Sequence, residues 1–300
     1  MSDTPRLFVT GATGQLGGLV IETLLESVPA SAIVAGMRDP ARNEGAANAL
    51  RDKGVAVRAA DYTRPETLAS ALAGVDRLLL ISSSENGKRK VQHRNVIGAA
   101  KNAGVGLIAY TSILHADRSP LFLAEEHRDT EMALAEAGVP FVLLRNGWYS
   151  EVYTWRLPLA LKGGVLIGAA GDGRISSAAR ADYARAAATV LLGSEHAGRI
   201  YELAGDESFT LAELAAVVSK ASGNLTAYRN MAPEKFRSAA LEAGLPEMVA
   251  RILSDTDAGV EKGALFDDGG TLARLIGRPT TPFQTTVTDF VRNQQAAAEA

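Results

Sequence analysis

The chain contains no cysteine. That excludes disulfides, thiolate nucleophiles and cysteine-ligated metals, and suits a reducing, cytoplasmic setting. Histidine is scarce too. His93, His115, His127 and His196 are the whole set, none in an HExxH spacing, so no metal site is expected. No apolar run approaches the ~20 residues a membrane helix needs, and "MSDTPRLFVT" has no signal-peptide pattern. An excess of one charge is also missing. Lys and Arg number 31 against 34 Asp and Glu, a net −3, which leaves no footprint for nucleic acid. The densest basic stretch, Lys88–Arg89–Lys90, reads as the exposed start of a helix. Aromatics make up only 6%, yet Trp148, Tyr149, Tyr153 and Trp155 crowd into one short stretch.

What is present is alternation. Short apolar runs stand at 6–10, 32–36, 55–59, 77–82, 106–112 and 140–145, separated by alanine-rich segments of helical period. Runs without polar alternation suit strands buried on both faces of a parallel sheet. Strand–helix–strand repeats of this length predict a doubly wound α/β fold. Beyond 146 the pattern loosens. A helix is expected over 149–162, and the glycine-rich run 162–174 is expected to turn at "GDG" (171–173), with a mobile flank. A helix follows from about Asp182, its expected N-cap. "RIYELAG" (199–205) reads as a strand returning to the main sheet. Thr210 and Glu213 have the spacing of a capping box. These features divide the chain into a dinucleotide-binding domain, 1–148, completed by the strand near 199–205, and a smaller, interleaved, mixed substrate-binding region, 149–300.

The first strand runs into "GATGQLGG", where Gly11, Gly14 and Gly17 precede an apolar helix. Glycines so placed allow a tight turn, close approach to a pyrophosphate, and packing of helix on strand. The amides of such a helix start, with its dipole, attract phosphate. Strand, turn and helix together give the context of a Rossmann dinucleotide site. Arg38 stands twenty-one residues beyond Gly17, where such folds often carry an acid for the ribose. A guanidinium there suits a 2′-phosphate, which favours NADPH and leaves NADH as a second cofactor. Asp39 is placed to cap a helix starting at Pro40. Asp61, closing the third strand, suits either the adenine amino group or a cap on the helix near Pro65. The expected cofactor set is Gly11, Thr13, Gly14, Gln15, Leu16, Gly17, Arg38, Asp61, Ser82, Ser83, Thr111 and Ser112.

After the fifth strand comes "LFLAEEHRDTE", in which Leu123, His127 and Glu131 share one helical face. Short-chain dehydrogenases/reductases usually carry Tyr-x-x-x-Lys here, and this chain has leucine and histidine at those two positions. "VTGATGQLG" (9–17), "YTSILHAD" (110–117), "EEHRDTE" (125–131), "LLRNGWYSE" (143–151) and "RADYARAAA" (180–188) together resemble the NmrA-like branch of atypical short-chain reductases. Within that branch the likeness is to type 2 NAD(P)H:quinone oxidoreductases, over essentially the full length. The resemblance implies hydride transfer from NADPH to a quinone. A ketone needs proton delivery, whereas a quinone yields a delocalised phenolate, so loss of the Tyr–Lys pair is tolerable.

The candidate catalytic residues are His127, as a nicotinamide-side polar group or weak proton donor, and Tyr149. Candidate substrate contacts are His115, Trp148 and Tyr149, and Glu131 is expected to bond backbone or Arg145. Two alternatives stay open. One is a non-catalytic NADP-binding redox sensor, a role known in the same branch. The other is a reductase for triarylmethane dyes or enones. The expected partner is a small, flat electrophile, without nucleic acid or membrane, and a homodimer is open.

Overall fold

The computed structural model describes residues 4–299. The signal-peptide reading of the amino terminus therefore falls partly on Met1–Asp3, outside the described residues. The elements follow the predicted alternation: β1 (Leu7–Val9), α1 (Gln15–Leu25), β2 (Ile33–Met37), α2 (Glu44–Asp52), β3 (Ala56–Ala59) and α3 (Pro65–Ala71). Next come β4 (Arg77–Leu80), α4 (Arg89–Ala103), β5 (Leu107–Ile113), α5 (Leu123–Ala137) and β6 (Phe141–Asn146). Then α6 (Ser150–Thr154), α7 (Leu157–Gly163), β7 (Val165–Gly168), α8 (Arg180–Leu192) and β8 (Ile200–Leu203). The chain ends with α9 (Leu211–Ser222), β9 (Ala227–Asn230), α10 (Pro233–Glu242), α11 (Glu247–Glu261), α12 (Thr271–Ile276) and α13 (Phe283–Glu299). No described helix is long and apolar enough to cross a membrane.

Seven strands form one sheet in the order β3-β2-β1-β4-β5-β6-β8. The pairings from β3 to β6 are all parallel, and the run at 199–205 does return to this sheet as β8. The order reverses between β1 and β4, and at such a switch point the loops leave a crevice for a ligand. One face buries Phe8, Leu78, Leu80, Ile108, Tyr110 and Leu143 with Leu68, Val96, Ile97 and Leu134 of α3, α4 and α5. Each such aliphatic side chain contributes about 1.5–3 kcal/mol when fully buried. Helices α1 and α8 pack against each other.

The chain divides into two compact units. The first takes in the chain through Ala116, then Leu123–Asn146 and Arg180–Tyr201. The second takes in Asp117–Phe122, Gly147–Ala179 and the chain from Glu202. Two local expectations need correcting, the single helix over 149–162 and the cap at Asp182. The helix over 149–162 is broken into α6 and α7, with Pro158 in the first turn of α7. Proline has no N–H to continue an earlier helix but is tolerated at a helix start. The expected turn at 171–173 is formed, with the Gly173 amide donating to Ala170 O (2.9 Å); ahead of it Val165–Gly168 forms β7 and pairs with β9. Helix α8 begins at Arg180, so Asp182 lies buried inside its first turn rather than at its cap. The capping box is formed, with Glu213 N–H donating to Thr210 Oγ1 (3.1 Å) and Thr210 N–H to Glu213 Oε2 (2.7 Å). In the same unit Tyr153 packs edge-on against Phe209, which stacks on Phe283. Arg156 makes a buried two-pronged bond to Asp257 (3.0 and 2.7 Å).

Candidate functional site

The site is built on the carboxyl ends of the first unit's strands. After β1 the chain reverses at Gly11, whose φ of +57° disfavours residues with a side chain. The Gly14 amide donates to the Gly11 carbonyl (2.8 Å) and closes the turn. Gly17 is buried in α1, and a Cβ there would run into the Gly11 carbonyl oxygen. Helix and turn can therefore lie this close only with glycine. Gly11, Thr13, Gly14 and Gln15 are exposed, while Leu16 turns its side chain into the core and offers only backbone. The first turn of α1 has no acidic residue and Gly14 has no side-chain cap bond. Free amides and a helix dipole so placed suit an anion.

Side-chain bonds from two threonines lace the neighbouring strand ends to this turn. Thr10 Oγ1 donates to Leu79 O (3.0 Å) and accepts from Ile81 N (2.9 Å). Thr111 Oγ1 accepts from Ser82 N (2.9 Å). The turn, Ser82–Ser83 and Thr111 are thus brought together at the ends of β1, β4 and β5. Arg38, at the end of β2, is 65% exposed and donates from Nη2 to Glu85 Oε1 (2.6 Å). Asp61 Oδ1 accepts from the amide and hydroxyl of Thr63 (2.9 and 2.7 Å). It does not cap the helix at Pro65, whose N-cap position is Arg64. Asp39 caps a turn at Ala41 and Arg42 (3.1 and 3.0 Å), and the helix starts at Glu44 rather than Pro40. The four residues between form turns.

Beneath Ser83 lies a buried polar network between α4, α5 and β5. Ser83 N–H donates to His93 Nε2 (2.9 Å), and Ser83 O accepts from Arg89 Nε (2.5 Å). Arg89 Nη1 reaches His127 Nε2 at 3.3 Å. A guanidinium only donates, so Nε2 of His127 accepts and its Nδ1–H donates to the Tyr110 hydroxyl (2.8 Å). By the same logic His93 Nδ1–H donates to Thr130 Oγ1 (2.9 Å), whose hydroxyl donates to Glu126 O (2.9 Å). Burial, with Arg89 nearby, pushes His93 down to about 3 and His127 well below the ordinary imidazole range. Both rings are neutral, and His127 is occupied at both nitrogens. Burial raises the Tyr110 phenol.

Arg89 corrects the expectation of an exposed basic helix start: it is only 8% exposed. Arg89, His93, Val96, Ile97 and Ala100 fall at helical spacing on the buried face of α4. Glu126 lies at 4.0 Å from the guanidinium. On α5, Glu131 accepts from Arg145 through Nε (3.0 Å) and Nη2 (2.7 Å), and from Ser112 Oγ (2.6 Å). The expected Glu131–Arg145 bond is formed, and α5 leans on β5 and β6 through His127 and Glu131.

The remaining candidates are scattered. His115 is buried with φ +53°, the left-handed value found at no other described non-glycine residue. Such strained backbone persists only where its surroundings enforce it. In the second unit, Trp148 and Tyr149 are half-buried; Tyr149 precedes α6 and pairs its backbone with Ala178. Tyr153 is buried, whereas Trp155 is 65% exposed, so the four aromatics do not form one surface. Successive residues of a helix point about 100° apart, which disperses a cluster that is dense in sequence. Sequence reasoning missed Glu85, Arg89, His93, Tyr110 and Asn146. The buried Asn146 Oδ1 has no partner among the described residues. Only the helical stripe of α4 signalled any of these.

A family model described as NAD(P)H-binding matches residues 11–192. Quinone oxidoreductase 2 of Escherichia coli is 56% identical over 279 residues, 93% of this chain and 96% of that protein. The crystal structure of the NADPH-dependent quinone oxidoreductase QOR2 of E. coli, complexed with NADPH, has a TM-score of 0.91 at 55% identity, covering 94% of this chain and 99% of that one. The triphenylmethane reductase of Citrobacter sp. gives 0.89 at 38% identity, covering 96% and 99%. An NmrA-like family domain-containing oxidoreductase of Aspergillus flavus is 30% identical over 290 residues, 92% of each chain.

Proposed function

Because the chain belongs to the NAD(P)H-binding, NmrA-like family, we infer that it is an NADPH-dependent reductase delivering hydride to a quinone. The observation that carries this is the near-full-length likeness to a quinone oxidoreductase. The chain's own residues fit the cofactor. The Gly11–Gly17 turn leaves a cradle that a Cβ at Gly17 would disrupt, with free amides for a pyrophosphate. Arg38, exposed beside the same strand ends, is the partner for a 2′-phosphate. Ser82, Ser83, Thr111 and Ser112 continue the row, with Asp61 at the adenine side. NADPH, when bound, supplies the hydride.

No side chain in the described network is built to deliver a proton. Leu123 occupies the place of the usual tyrosine, and a neutral, doubly bonded His127 holds no acidic proton near pH 7. The electrophile must therefore tolerate reduction without a protein acid, as a quinone does by forming a phenolate that protonates from water. His127 acts by holding the scaffold under Ser83. Tyr149 and Trp148 are the proposed contacts of the flat ring, with His115, and the cytoplasm is the proposed compartment. A cationic triarylmethane dye is the second reading, favoured by the likeness to triphenylmethane reductase, since hydride alone discharges such a cation.

Anaerobic stoichiometry tests the first reading: NADPH lost and hydroquinone formed should match one for one. NADPH binding with no hydroquinone from any quinone would overturn it in favour of a sensor.

A further inference from the structure

The loop between β4 and α4 puts a carboxylate against Arg38, the one cation in the proposed cofactor set. Glu85 Oε1 accepts from Arg38 Nη2 (2.6 Å) and its Oε2 from Lys88 Nζ (3.1 Å). Its own N–H donates to Ser83 Oγ (3.1 Å), which fixes the loop to the strand end carrying the site. Arg38 and Lys88 are 65% and 68% exposed, while Glu85 is sheltered between them at 26%. We propose that Glu85 is a specificity-determining residue, which restrains NADPH and favours NADH by occupying Arg38. The proposal rests on the reading of Arg38 as the 2′-phosphate partner.

The chemistry differs between the two cofactors. A 2′-phosphate brings between one and two negative charges to a guanidinium already bonded to a carboxylate, and must displace or tolerate that charge. A 2′-hydroxyl is a donor, so NADH gains an acceptor in Glu85. The hydrogen bond from Lys88, with Arg38 nearby, holds the Glu85 carboxyl below the usual carboxylate range. Its charge therefore persists at neutral pH. Because the pair is solvent-facing, the effect is modest and falls with ionic strength.

Calorimetric binding of NADPH, NADH, 2′,5′-ADP and 5′-ADP to the wild type, Glu85→Gln, Glu85→Ala and Arg38→Ala provides the test. Both Glu85 variants should raise the NADPH-to-NADH affinity ratio about threefold to tenfold at low salt. The same shift should appear between the two ADP isomers and shrink at high salt. If Arg38→Ala abolishes the 2′-phosphate preference while the Glu85 variants leave the ratio within about twofold, the proposal is overturned and Arg38 keeps its role. If Glu85→Gln alone shifts the ratio, the new amide donor is responsible and the proposal also fails. If Arg38→Ala changes nothing, the reading of Arg38 itself is wrong, and Glu85 falls with it.

Discussion

Arg38 and His127 show how much depends on the surroundings of single side chains. Arg38 is exposed at the end of β2 and paired with Glu85, the setting from which its proposed role toward a 2′-phosphate is argued. Arg38→Ala should weaken NADPH binding by about tenfold or more, the worth of a charge-assisted phosphate contact, with little effect on NADH. Fluorescence titration with both cofactors would check this. His127 is the opposite case, buried and neutral. His127→Gln should keep quinone turnover within about threefold, since loss of a true general acid would cost 10²–10⁴. Steady-state kinetics beside a melting curve would separate the two, because the substitution should lower the melting temperature. Gly17→Ala should destabilise the protein by about 1–3 kcal/mol, as the new Cβ has nowhere to go beside Gly11. Urea denaturation would measure it. The glycine turn was legible because three glycines so spaced between a strand and a helix have few other meanings. Arg89 was not, since a basic triplet ordinarily marks solvent, and only its helical stripe with His93 and Val96 betrays burial.

At the scale of elements, α4 and α5 are held to the sheet by polar groups as well as apolar ones. This carries a pH signature. His93 and His127 have folded pKa values below the unfolded value near 6.5, so unfolding below that pH takes up protons. Their contribution is fully present above about pH 6.5. It declines as pH falls, by up to about 1.4 kcal/mol per pH unit for each histidine, levelling near pH 3 for His93. Urea midpoints between pH 7.5 and 5 should show that decline, and His93→Phe with His127→Phe should flatten it. Glu131→Gln should lower stability, read as a lower urea midpoint, because it removes the charge of a buried carboxylate that Arg145 bonds through two nitrogens. Most strands could be read directly from sequence, since runs such as "RLLL" and "FVLLR" have no alternation to confuse. β7 was missed because Val165–Gly168 sits among glycines and gains its strand state only by pairing with β9. The break between α6 and α7 was written in Pro158, which the helical pattern around it concealed.

At the scale of the whole molecule, the order β3-β2-β1-β4-β5-β6-β8 places the glycine turn at the switch point of the sheet. That arrangement opens a crevice beside the glycine turn, which is why the proposed cofactor site draws on loops far apart in sequence. The chemistry follows from a lack: a fold that usually pairs tyrosine with lysine here presents Leu123 and a neutral imidazole instead. Such a site is suited to an electrophile that needs hydride alone from the protein complex and takes its proton from water.

The most direct test is the initial rate of NADPH and NADH consumption by the purified protein, each with and without excess benzoquinone. Rapid quinone-dependent loss of NADPH, with NADH slower and neither consumed without quinone, is the predicted result. Tight NADPH binding with no quinone-dependent consumption would contradict the account.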